Sequence, residues 1–281
     1  MKKPDFKTLN LLILFVTFGA LKSGLAQTET LPRKYISNKT DKPIRIDGKL
    51  ESAWKKAVWT ERFVDIEGDK KPLPYQHTQA KILWDDTHLY IAALMEEEHI
   101  WAYQTKKDQI VYLENDFEVF IDPDGDTENY YELEINAANN TFDLFLPKTY
   151  KKGGRAQLKW NIQDLQSAVS VDGTINNAKD KDKRWILEIA IPFKSLSHEN
   201  VAAIIPTAGS EWRINFSRVN WQHDVNEEGK YVRKRNAETG KRLPEYNWVW
   251  SPQGIINMHF PEHWGYLEFA DQKSAKRKTS N

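Results

Sequence analysis

From Ala80 onward, apolar and polar residues alternate with a period of two over much of the chain. Ala80–Trp84 (AKILW) and His88–Leu94 (HLYIAAL) read as two strands joined by a tight turn at Asp85-Asp86-Thr87. Phe117–Asp122 predicts a third strand and Tyr130–Asn136 a fourth. In the fourth, Tyr131, Leu133 and Ile135 fall on one face and Glu132, Glu134 and Asn136 on the other. Thr141–Leu146 reads as its hairpin partner. Trp185–Ile191 is a strand stopped by Pro192, Trp212–Trp221 is a long one, and Gly265–Phe269 closes the set. Helical signal is scant: two turns over Glu51–Val58, after an Asp47-Gly48 turn, and a single turn over Phe193–Leu196. Many short strands between Gly, Asp, Asn and Pro turns predict an all-β fold. The expected architecture is a jelly-roll-like antiparallel β-sandwich in a single domain, with short helices and long end loops at 147–160 and 223–247.

The N-terminus has a different pattern. Lys2, Lys3 and Lys7 precede Leu9–Leu21, a run of 13 uncharged residues. That length suits the apolar region of a signal peptide and falls short of the ~20 residues of a membrane span. Gly24-Leu25-Ala26 supplies the small residues for cleavage after Ala26. The expected division is a signal peptide over 1–26, a polar lead-in over 27–40, the sandwich over 41–270 and a polar, basic tail over 271–281. Cleavage leaves 36 basic and 39 acidic residues, a net charge of −3, and no membrane span. An exported chain without cysteine suits a bacterial periplasm or secretion.

Composition narrows the chemistry. The 281 residues include no cysteine, which excludes disulfides, cysteine-held metals and thiol nucleophiles. Forty basic and forty acidic residues cancel, so no basic field points to nucleic acid. Eleven Trp, eleven Tyr and twelve Phe are too many for a disordered chain.

Four carboxylates alternate along one loop, at Asp122, Asp124, Asp126 and Glu128. They suit a hard cation such as Ca²⁺, or a solvated turn between two strands. Glu118, Glu132 and Glu134 share a face with Asn136 if the third and fourth strands pair. Such carboxylates could hydrolyse a glycosidic bond, accept hydrogen bonds from sugar hydroxyls, or form an ordinary polar strand face. His259 and His263 are four apart with Pro261 between them, which breaks the helical zinc motif. No nucleophile elbow, phosphate loop or dinucleotide fingerprint is present. Trp84 and Trp185 sit within strands as core residues. Trp101, Trp221, Trp248, Trp250 and Trp264 fall at strand ends or in loops, where exposed rings would suit sugars and buried ones would fill the core.

Five segments in order resemble the family 9 carbohydrate-binding modules. They are Ile44–Leu50 with Trp54, Ala80–Asp86 with Leu89-Tyr90, Asn115–Asp122, Tyr130–Asn136, and Trp250-Ser251-Pro252 with Trp264-Gly265. The resemblance implies a β-sandwich that clamps a sugar between two aromatic rings. Tyr112 matches the first ring, Glu118 the hydroxyl-accepting glutamate and Asn136 the asparagine at the end of the next strand. Glu134 stands where that pattern has an arginine, a charge reversal. The second ring aligns with Met258, with Trp248, Trp250, Phe260 and Trp264 nearby. The resemblance also implies structural calcium, for which the 122–128 loop is the candidate.

The expected function is therefore non-catalytic binding of an oligo- or polysaccharide, with no cofactor required and glycosidases encoded separately. One alternative is a glycoside hydrolase using Glu118 with Glu132 or Glu134. Another is a haem-binding or purely structural sandwich, hinted at only by the His and Met residues at 258–263.

Overall fold

The computed structural model describes residues 32–271, so the expected signal peptide and nearly all of the expected tail lie outside the described residues. The strands in chain order are β1 (Lys34–Lys39), β2 (Val64–Asp65), β3 (Thr78–Trp84), β4 (His88–Glu96), β5 (Asp116–Asp122), β6 (Tyr130–Asn136) and β7 (Thr141–Leu146). They continue with β8 (Gln166–Asp172), β9 (Arg184–Pro192), β10 (Glu211–Asn220), β11 (His223–Val225), β12 (Tyr231–Arg233), β13 (Tyr246–Val249) and β14 (Gly265–Ala270). One continuous sheet runs β7-β6-β5-β10-β14-β1-β3-β4-β9-β8, with β13 and β2 branching from β10. It curls over so that alternate residues of both halves share one core: Phe117, Leu133 and Phe216 from one side, Ile82, Ile91 and Leu187 from the other. Apart from the two pairings of β1, the ladders are antiparallel.

β1 corrects the expected lead-in. Its side chains look polar in sequence, yet it pairs in parallel with β14 and with β3, and it buries Tyr35 and Ser37. The Tyr35 hydroxyl donates to Val58 O (2.6 Å) and accepts from Ile82 N (3.1 Å). The sandwich thus begins inside the stretch read as a polar lead-in over 27–40. The long 223–247 segment is partly ordered as the β11–β12 hairpin and the start of β13.

The two helical segments are reduced to short 3₁₀ turns over Ser52–Lys56 and Phe193–Ser195. The first is fixed by side-chain chemistry rather than helix propensity. Glu188 of β9 accepts from the amides of Asp47, Gly48 and Lys49 and from Trp54 Nε1 at 2.6–3.2 Å. One buried carboxylate therefore holds both the Asp47-Gly48 turn and the tryptophan that follows it.

Candidate functional site

Antiparallel pairing of β5 and β6 sets Glu118 opposite Glu134, Phe120 opposite Glu132 and Asp116 opposite Asn136. β7 adds Leu144 beside Glu132 and Phe142 beside Glu134, and β10 adds Ser217 beside Glu118. The odd-numbered partners of β5 and β6 point into the main core, so this even-numbered set faces away from it. The result is a groove of about 550 Å³ whose floor carries Glu118, Glu132 and Glu134. That volume lies within the usual range of small-ligand sites.

Two tyrosines line its walls, Tyr112 at 44% exposure and Tyr150 at 48%. Tyr112 sits in a 3₁₀ turn, Val111–Leu113, whose free amide is taken by Glu134 Oε2 (2.9 Å). Its carbonyl accepts from Trp221 Nε1 (2.9 Å). The ring is therefore presented from a turn anchored at both backbone polar groups. Tyr150 opens a second 3₁₀ turn and meets His259 edge-on at 4.5 Å. His259 Nδ1 in turn lies 3.1 Å from the Tyr130 hydroxyl. Burial lowers the His259 pKa to about 4, so the imidazole is neutral in ordinary buffers.

The floor is acidic, and no lysine or arginine is among the described lining residues. Burial pushes Glu118 up to about 7. Burial and the neighbouring carboxylates also hold Asp116, Glu132 and Glu134 well above the ordinary range. A larger concavity of about 700 Å³ lies near Glu97, His99 and Asn220. Two of its acids are paired, Glu97 with Arg218 (2.6 Å) and Glu98 with Lys181 (2.8 Å).

The groove brings together Tyr112, Glu118, Glu134 and Met258. Asn136 and Trp250 are elsewhere. Asn136 is fully buried; it accepts from the amides of Ala138 and Asn140 and donates to Gln104 O, which closes the turn after β6. Trp250 packs in the main core and donates to Glu61. Trp101, Trp221, Trp248 and Trp264 are buried too, so none of these tryptophans offers an open platform. Tyr150, Phe142 and Leu158 line the groove and were missed, as were Glu245 and Asn257. Tyr150 and Leu158 come from the 147–160 loop, and only its closure over β7 reveals them.

In the acidic loop, the carboxylates of Asp122, Asp124 and Asp126 approach within 4.8 Å of one another, and Glu128 is not among them. Asp122 accepts from the amides of Gly125 and Thr127, each at 2.9 Å. Burial and then Asp124 push its carboxyl up to about 7. An all-oxygen set fits a hard cation, but none of these residues lines the groove.

The carbohydrate family 9 binding domain-like family matches residues 46–247. The chain belongs to this family. Among curated proteins, endo-1,4-beta-xylanase C of Paenibacillus barcinonensis is 25% identical over 146 residues, which is 50% of this chain and 12% of the xylanase. Exoglucanase XynX of Acetivibrio thermocellus is 25% identical over 187 residues, 66% of this chain and 14% of the relative. The chain thus spans only a small part of each. Among solved structures, a family 9 module from Caldicellulosiruptor kristjanssonii in complex with cellotriose superposes with a TM-score of 0.55 at 12% identity, covering 85% of this chain and 95% of the module. A Bacteroides uniformis protein described as carbohydrate-binding gives 0.61 at 15%, covering 84% and 99%. At these identities the structural likeness carries the fold.

Proposed function

We propose that this family 9 domain binds a saccharide non-catalytically in the groove over β5, β6 and β7. The observation that carries the reading is the pair of exposed tyrosines standing above a floor of carboxylates. A sugar ring has an apolar C–H face for Tyr112 or Tyr150, while its hydroxyls donate to Glu118, Glu132 or Glu134.

The relatives point to glucans and xylans as ligands to try first, and to glycosidases as partners. Export, with cleavage after Ala26, belongs to the same proposal; among the described residues no helix is long and apolar enough to cross a membrane. A Ca²⁺ ion held by Asp122, Asp124 and Asp126 would brace the β5–β6 loop without touching the ligand. The experiment is a saccharide array probed with the chain and with Tyr150→Ala. Retained glycan signal in the chain, weakened in the variant, is expected. Signal on no saccharide, with or without Ca²⁺, would refute the reading.

A further inference from the structure

Among the described residues, the buried carboxylates outside the groove region are answered by specific donors. Glu97 meets the Arg218 guanidinium at 2.6 Å and Asp143 meets Lys107 at 2.9 Å. Glu188 takes four N–H donors. Asp182 takes the amides of Ile100 and Thr174, and Glu114 those of Tyr103 and Gln104. The exception is the floor of the groove and the residue beneath it. Glu118, Glu132 and Glu134 of the floor and Asp116 under it are all buried, and no lysine or arginine lines the groove above them.

The Tyr112 amide reaches Glu134 Oε2 at 2.9 Å, but hydrogen bonds do not make up the difference at Asp116 and Glu132. Asp116 Oδ1 has one long contact, from Val219 N at 3.4 Å, and its Oδ2 has no partner although the residue is fully buried. Glu132, whose side chain is only 6% exposed, leaves Oε2 without a hydrogen bond. The nearest ring nitrogen, His259 Nε2, stands 3.9 Å away. Leaving a buried acceptor unmade is costly, and clustering several in one place compounds the cost.

Their spacing suggests what would satisfy them. One oxygen from each of Asp116, Glu118 and Glu134 lies within 4.8 Å of the other two. Oxygens around Ca²⁺ sit 2.3–2.6 Å from the ion, so two on opposite sides are about 4.8 Å apart. Carboxylates are the hard, anionic ligands that such an ion selects. Glu118 and Glu134 border the groove, which gives a cation a route in and leaves positions for water.

We infer that Asp116, Glu118 and Glu134 form a Ca²⁺ site beneath the groove, separate from the Asp122–Asp126 loop. Glu132 lies beside it and supplies further negative charge. The site does not depend on the saccharide reading, because the probe is the metal alone.

The test is a calorimetric titration of CaCl₂ into the chelator-stripped chain, repeated on Asp116→Asn, Glu134→Gln and the loop variant Asp124→Asn. Far-UV circular dichroism checks the fold of each. In both groove variants the new side-chain amide oxygen keeps an acceptor in place, for Val219 N in Asp116→Asn and for Tyr112 N in Glu134→Gln. Both also remove a buried charge, so folding is expected to survive. The expected result is a Ca²⁺-binding step that persists in Asp124→Asn and weakens at least tenfold in both Asp116→Asn and Glu134→Gln. A melting temperature raised by CaCl₂ in the chain and in Asp124→Asn, and raised less in Asp116→Asn than in the chain, is the second readout. No Ca²⁺ binding in the chain, or binding lost with Asp124→Asn and untouched by Asp116→Asn, would overturn the inference.

Discussion

Tyr112 shows how much of a site rests on backbone anchoring. Its ring is free, while its amide is held by Glu134 and its carbonyl by Trp221. Replacing Trp221 with Phe keeps the packing and removes the donor. The expected cost is about 1 kcal/mol of stability, with saccharide affinity falling several-fold although Trp221 does not line the groove. Unchanged affinity in Trp221→Phe, measured by titration, would show that the turn holds itself. His259 offers a second check. Its folded pKa of about 4 lies below the ordinary 6.5. The stability gained from the neutral ring is thus complete above pH 6.5 and is lost as pH falls toward 4. Against His259→Asn, the melting temperature of the chain should drop progressively through that window; parallel curves would contradict the assignment. At this scale the sequence was partly legible. Strand alternation placed Glu118, Glu132 and Glu134 on one face correctly, because parity survives folding. It placed Asn136 there too, but an Asn at a strand end can turn its amide onto the next turn's backbone, and this one does. Nor could it tell buried tryptophans from open ones, since end-of-strand position does not report what packs above.

The element that carries Tyr150 is a compact loop that tolerates no side chain at Gly154. A Cβ there would come within 1.6 Å of Lys148 O, while the Gly154 amide donates to Thr149 O at 3.0 Å. Gly154→Ala must therefore open the loop and move Tyr150 off the groove. The expected outcome is an affinity loss close to that of Tyr150→Ala, with a melting temperature lowered by a few degrees. Affinity equal to that of the unaltered chain would place Tyr150 outside the contact. Among elements, the strongly alternating strands were read to within a residue or two. β1, β2, β8, β11, β12 and β13 were not, because they are short or polar and owe their place to neighbours.

Across the whole molecule, β1 is the seam between the two halves of the curled sheet. Tyr35 fastens it to β3 through Ile82 N and to the preceding loop through Val58 O. Tyr35→Phe strands a buried amide and a carbonyl together, and should cost about 1–3 kcal/mol in chemical denaturation; a loss below a few tenths would mean that the seam is held by packing alone. The groove lies on the outer face of one half, supported by that core from beneath. The central claim is that a saccharide lies there against Tyr112. It is tested most directly by calorimetric titration of cellotriose and xylotriose into the chain and into Tyr112→Ala. The account predicts binding of at least one of them, weakened in the variant by about 2 kcal/mol, some thirtyfold, with the fold intact. Equal binding by both proteins, or none by either, would contradict it.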